Sequence, residues 1–184
     1  MPFPASYRER VLEAINSIDV ARVEQAIEWF CEAREQGRTI FVAGNGGSAA
    51  TASHLVCDLV KDVSFGKALR FHAQALQDSS PIMTAYANDE DFSVGIAEQL
   101  RNFARPGDLF LALSGSGNSL NLVKGMECAR EIGCRTLALT GRDGGKLGAL
   151  AQLNIRVPEQ HMGRIQDAHH VICHMISYAF SETP

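Results

Sequence analysis

The sequence predicts a single doubly wound α/β domain, and three observations carry that reading. Short runs rich in β-branched and other apolar residues alternate with segments of helical periodicity along most of the 184 residues. Those runs are apolar almost throughout rather than at every second position, the pattern of parallel strands covered on both faces. Two of the strand ends open into glycine- and serine-rich turns that lead straight into a helix, which is where such sheets bind ligands.

From the N-terminus, segments 6–17 and 19–36 place Val11, Ala14, Ile15, Val20, Val23, Ile27 and Phe30 at helical spacing. Asp19 suits an N-cap and Gly37 a helix stop. This arm is too apolar to stand alone, so it is expected to pack on a partner subunit or across the sheet. Strands are predicted at 39–43, 69–75, 109–113, 136–139 and 154–157. Helices are predicted at 47–63, 92–103, 119–132 and 146–151, with a last one over 164–180. No internal repeat or linker divides the chain. One domain over 1–184 is therefore expected: a helical oligomerisation arm at 1–37, then an α/β core at 38–184 with a five-stranded parallel sheet flanked by helices.

Composition narrows the function classes. At 46% hydrophobic and 21% charged, the chain is ordinary for a soluble domain and far from disordered. No stretch approaches the ~20 apolar residues of a membrane-spanning helix, and the N-terminus has no apolar core of a signal peptide. A net charge of −4 gives no general attraction to nucleic acid. The five cysteines are scattered without a C-x-x-C pair, as expected for reduced thiols in a cytoplasmic protein. Neither a membrane nor a nucleic acid is expected as a partner.

The chemistry is expected in the two turns. The first, Asn45-Gly46-Gly47-Ser48, follows a strand and opens a helix, so free backbone N–H groups face any anion there. It lacks the lysine of an ATP-binding loop and the acidic partner of a dinucleotide fold. The second, Ser114-Gly115-Ser116-Gly117-Asn118-Ser119, sets three hydroxyls and two glycines between strand and helix. Hydroxyls and exposed amides together surround a phosphate without any cation. An N-cap role explains Ser119 but not three serines.

The order of motifs along the chain resembles the sugar isomerase (SIS) domain family. NGGSA at 45–49 followed by His54, the Asn88-Asp89 pair, SGSGNS at 114–119, LTGRDGGKL at 139–147 and RIQ followed by His174 carry the likeness. Within that family it is similar to the phosphoheptose isomerases, which interconvert sedoheptulose 7-phosphate and aldoheptose 7-phosphates. The resemblance implies that Ser114, Ser116 and Ser119, with Gly115, hold the phosphate. It implies that Asn45, Gly46, Gly47, Asn88 and Asp89 line the sugar. His54, Asp58, Gln166 and His174 match the positions that bind zinc or another divalent ion, and Asp58, Gln166 and His174 lie at the isomerisation centre. It further implies a homotetramer with active sites at subunit interfaces.

Spacing supports part of this. His54 and Asp58 are i, i+4 on one helix face, whereas Gln166 and His174 lie about 80° apart on theirs. His170 falls angularly between those two, so geometry alone leaves it open as a substitute ligand. On residue type alone, His169, His170 and His174 read equally as packing, surface or ligand residues. Aldose–ketose isomerisation needs one base and one acid at adjacent carbons, roles that Asp58 and His174 fill. The chain departs from the family at four places: Asp58 for Glu, Gly115 for the usual Thr, Asp62 for Arg, and Gly163 for Asp. The competing expectation is a non-catalytic SIS protein that binds a phosphosugar or a protein partner, of the replication-initiator-associating type.

Overall fold

The computed structural model describes residues 2–182. Strands β1 (Thr39–Gly44), β2 (His72–Ala75), β3 (Leu109–Ser114), β4 (Arg135–Gly141) and β5 (Leu153–Val157) form one sheet in the order β2-β1-β3-β4-β5. Every neighbouring pair is parallel. The helices are α1 (Phe3–Asn16), α2 (Val20–Glu35), α3 (Gly47–Cys57), α4 (Ser80–Asp89), α5 (Gly95–Phe103), α6 (Leu120–Ile132), α7 (Gly145–Leu150) and α8 (Met162–Glu182).

Strand alternation splits the core in two. Ile40, Val42, Leu109, Leu111 and Leu113 face one side and pack with Phe30 of α2, Leu55 of α3, and Ile172 and Ile176 of α8. Phe41, Ala43, Phe110 and Ala112 face the other and pack with Ile96 and Leu100 of α5 and Leu122 and Met126 of α6. Each such fully buried large side chain contributes roughly 1.5–3 kcal/mol, and both layers must be in place before the strand ends are held rigid. The continuous apolar runs in the sequence reflect this two-sided burial.

The arm packs within its own chain. Val23, Ala26, Phe30 and Ala33 of α2 are buried on the sheet side, so the sheet is the partner α2 takes here. α1 leans on α8, where Tyr7 Oη donates to Asp167 Oδ2 at 2.8 Å. Asp19 caps α2 by accepting from the Arg22 N–H at 3.2 Å, and Gly37 adopts φ 63° just beyond its end.

β2 and α5 each begin three residues later than expected, and two features differ in kind. The helix predicted over 47–63 is α-helical only to Cys57, and Asp58–Asp62 form a π-turn closed by Val63 N–H donating to the Asp58 carbonyl at 3.0 Å. π-turns inside helices often mark functional sites. The other is α4, which buries no residue fully: its half-buried Ile82, Met83 and Tyr86 make a stripe of little more than one turn, and Pro81 marks its start.

The sheet order creates the binding crevice. From β1 the chain turns outward to β2, then returns to place β3 on the other side of β1. The loops after β1 and β3 therefore lie side by side at the switch point, where a crevice opens beyond the carboxyl ends of the strands.

Candidate active site

The first turn closes over the end of β1. Gly46 sits at the N-cap position of α3 with φ 55°, a conformation that favours glycine, and no side chain caps the helix. Ser48 N–H donates to the Asn45 carbonyl at 3.0 Å, and its first-turn neighbours have no side-chain cap. Asn45 and Asn121, the latter buried on α6, exchange two amide hydrogen bonds of 2.9 Å each. This pair ties the two loops together. Asn121 carries no motif signal, and its partner shows only in the structure.

The second turn uses its serines unequally. Ser114, buried at the end of β3, accepts from Gly117 N–H at 3.1 Å, and Ser116 Oγ accepts from Asn118 N–H at 3.2 Å. Gly117 takes φ 66°, and a side chain there would run into the Gly144 carbonyl. Ser119 occupies the N-cap position of α6, yet its hydroxyl makes no capping bond. It lies instead 3.4 Å from Ser114 Oγ, which is 3.5 Å from Ser116 Oγ. Three hydroxyls converge beside an uncapped helix end.

Between the turns is a cavity of about 310 Å³. Asn45, Gly46 and Gly47 line one wall, and Ser114, Gly115, Ser116 and Ser119 the other. Met162 and Gln166 of α8 close it. The Gln166 amide lies so close to Gly47 that a Cβ there would stand 2.6 Å from Gln166 Oε1. None of these lining residues is a lysine or arginine, so amides and hydroxyls must do any anion binding.

A cluster of imidazoles stands further along α3 and α8. His54 Nε2 and His174 Nε2 are 3.1 Å apart, and the nearest ligand atoms of His54, His170 and His174 all lie within 4.8 Å of one another. Asp58, 3% exposed, bridges the first pair: one carboxylate oxygen is 3.5 Å from His54 Nε2 and the other 3.8 Å from His174 Nε2. The second oxygen also accepts from Ser177 Oγ at 3.2 Å. Burial, followed by the neighbouring His174 and His54, holds His170 below the ordinary imidazole range. His169 faces the core instead, where burial pushes it down to about 4 and keeps it neutral.

The remaining expected residues lie elsewhere. Asn88 and Asp89 sit at the end of α4, where Asn88 Nδ2 donates to Asp89 Oδ1 at 2.7 Å, and neither lines the cavity within one chain. Asp62 pairs with Lys61 at 2.5 Å. Met162 fills the space at Gly115, where a Cβ would meet its sulfur, and Tyr7 Oη stands 3.0 Å from where a Cβ on Gly163 would be.

Fold and site together define a class: a doubly wound domain with a cavity free of lysine and arginine between two helix N-termini, beside a carboxylate–imidazole cluster. The family signature of the SIS domain matches residues 5–141. A probable phosphoheptose isomerase of Thermoplasma volcanium is 40% identical over 173 residues, spanning 94% of this chain and 87% of its own. The phosphoheptose isomerase of Geotalea daltonii is 36% identical over 168 residues, spanning 91% of this chain and 87% of its own. The solved phosphoheptose isomerase of Neisseria gonorrhoeae superposes with a TM-score of 0.90 at 30% identity, covering 97% of each chain. The chain belongs to the SIS domain family and, within it, to the phosphoheptose isomerases.

Proposed function

We infer that this chain is an aldose–ketose isomerase that converts sedoheptulose 7-phosphate to D-glycero-D-manno-heptose 7-phosphate through an enediol. The observation that carries this reading is the pairing of a cation-free phosphate cradle with the Asp58–His174 pair, joined by the same two helices. His54 lies seven residues beyond Gly47 on α3, about 10 Å of helix rise. Such a span suits a sugar anchored by its phosphate at one end and reacting at the other.

Each residue then has a task. Ser114, Ser116 and Ser119 donate to phosphate oxygens, joined by the free amides at the starts of α3 and α6. Asn45 and Gln166 contact sugar hydroxyls. Asp58 takes the proton from the carbon beside the carbonyl, its position fixed by Ser177. With no ion on its Nε2, His174 returns a proton to the carbonyl oxygen, and the roles reverse to complete the shift. Binding energy from the phosphate is spent on orienting the distant reacting carbons.

The cluster also suits zinc or another first-row divalent ion held by His54, Asp58, Gln166 and His174. Two ligands at a tetrahedral zinc stand about 3.4 Å apart, close to the His54–His174 separation of 3.1 Å. The buried carboxylate stands beside imidazole donors, a donor set that suits such ions. A bound ion would take His174 Nε2 and polarise the sugar carbonyl in place of that proton.

The chain acts as one SIS unit over 1–184 and assembles as a homotetramer, with 1–37 as the oligomerisation arm. Exposed Val60 on the π-turn after α3, with Met175 and Tyr178 on α8, supports an interface there, and Asn88 and Asp89 would join the site from a neighbouring copy. Five free thiols support a reducing cytoplasm, and no described helix is long and apolar enough to cross a membrane. The test is incubation with sedoheptulose 7-phosphate and a panel of other ketose and aldose phosphates, followed by NMR. Interconversion of the heptose phosphate is expected. Binding without any interconversion would replace the isomerase by the non-catalytic SIS protein.

A further inference from the structure

Resting on the reading of the cavity between the two turns as a sugar-phosphate site, we propose that Tyr7 is a positioning residue for that site. It pins the opening turns of α8, whose Met162 and Gln166 close the cavity, so docking of α1 and binding of the sugar phosphate strengthen each other. Tyr7 Oη donates to Asp167 Oδ2 at 2.8 Å, and its ring meets His161 edge-on with 5.9 Å between centroids. The Arg164 guanidinium carbon lies 5.9 Å from the centre of the same ring. All three partners flank Gly163, and its missing side chain is what admits the phenol. A Cβ there would stand 3.0 Å from Tyr7 Oη, tighter than side chains ordinarily pack. The bond to Asp167 foremost raises the phenol above its ordinary range, so at neutral pH it stays protonated and keeps donating.

The same stretch of α8 forms the closing wall of the cavity. Met162 directly precedes Gly163, Gln166 follows it by about one turn, and both line the cavity. Met162 occupies the space beside Gly115 and the Gln166 amide sits against Gly47, so a shift of these turns changes the wall that faces both loops. α1 itself is lightly held. Ala14 is its one buried residue, and an element with so few buried apolar contacts opens at little cost. Toward its start, the bond to Asp167 is what fixes α1 on α8. A ligand touching Gln166 favours the arrangement that Tyr7 holds, and by linkage docked α1 raises ligand affinity by the same factor.

Two variants of the full chain cut this tether from opposite sides. Tyr7→Phe keeps the ring and removes the hydroxyl, and Asp167→Ala removes the acceptor. Each is expected to weaken calorimetric binding of sedoheptulose 7-phosphate about 3- to 10-fold, the scale of one hydrogen bond, with KM raised likewise and kcat kept. The double variant should bind no more weakly than either single one, since both remove the same bond. Hydrogen exchange of the α1 amides gives the reciprocal readout. Saturating sugar phosphate should slow it by a similar factor in wild type and leave it unchanged in Tyr7→Phe. Wild-type affinity in both variants, even with a lowered melting temperature, would show a purely structural bond and overturn the proposal. So would α1 exchange in wild type that ignores the ligand, or a fall in kcat with KM unchanged. Wild type that binds the sugar phosphate without turning it over, with the Tyr7→Phe loss intact, removes the isomerase reading and leaves the proposal standing. Turnover with no effect of Tyr7→Phe does the reverse, and wild type that binds no sugar phosphate overturns both.

Discussion

Ser119 separates a structural role from a ligand-binding one. It stands at the N-cap of α6, where a serine that caps its helix typically contributes about 1 kcal/mol. Its hydroxyl makes no such bond and points toward Ser114, 3.4 Å away. Ser119→Ala gives up no cap and only the long 3.4 Å contact to Ser114, so stability should stay within about 0.5 kcal/mol of wild type. Loss of a hydrogen bond to a charged phosphate oxygen is worth ~1.5–3 kcal/mol, so affinity should fall roughly 10- to 150-fold. Urea unfolding gives the first quantity, and calorimetric titration with sedoheptulose 7-phosphate gives the second. A stability loss near 1 kcal/mol with unchanged affinity would show that Ser119 caps α6 and would refute its place in the phosphate cradle.

Three further outcomes are expected. Asp58→Asn keeps the shape but removes the base, so kcat should drop by ~10²–10⁴ with heptose phosphate binding largely kept; an undiminished kcat would remove Asp58 from the chemistry. Glu159 accepts from Arg164 Nε at 2.8 Å and from two backbone amides, and the Arg164 bond foremost pulls its carboxyl from 4.5 down to about 2. Its folded pKa lies below its unfolded one, so the stabilisation is present above pH 4.5 and is lost as pH falls toward 2. The urea-midpoint gap between wild type and Glu159→Gln should thus be wide at pH 7 and narrow at pH 3, and a gap unchanged with pH would contradict the linkage. Sedimentation should give four copies of the 20.0 kDa chain, about 80 kDa, and a stable monomer at micromolar concentration would count against the shared site.

Much of the fold was legible because burial on both faces leaves a mark that needs no partner information. The runs around Val42, Leu111 and Leu139 are apolar throughout, and only a covered parallel sheet explains that pattern. α4 was not legible, since its half-buried Ile82, Met83 and Tyr86 span little more than one turn, too short a period to read. The π-turn at Asp58–Asp62 was hidden as well: one widened turn hardly disturbs a hydrophobic pattern, yet it begins at the residue that bridges His54 and His174. In the site, the glycine and serine turns carry their chemistry in consecutive residues. The imidazole cluster does not. His54 and the α8 histidines are more than 100 positions apart, and helical angles alone could not choose between Gln166 and His170. That choice depends on how α8 lies against α3, which is a matter of packing.

The four departures from the family pattern are not alike. Gly115 and Gly163 leave space that Met162 and Tyr7 approach, and Asp62 finds a local partner in Lys61. These are accommodations in the walls of the site. Asp58 differs in kind, because a carboxylate one methylene shorter cannot reach as far as Glu from the same backbone position. In this chain the buried Asp58 is braced by Ser177, while His170 stands a single turn from His174 with its nitrogen turned toward the same centre. The shorter side chain is held where both histidines still reach it, its two oxygens 3.5 and 3.8 Å from His54 and His174 Nε2. The phosphate cradle needs no such adjustment, since amides at two helix ends and three hydroxyls bind any phosphate presented at the right distance. What separates one phosphorylated sugar from another therefore lies at the Asp58 end of the cavity, where the one departure that alters the reach of a reacting group is found.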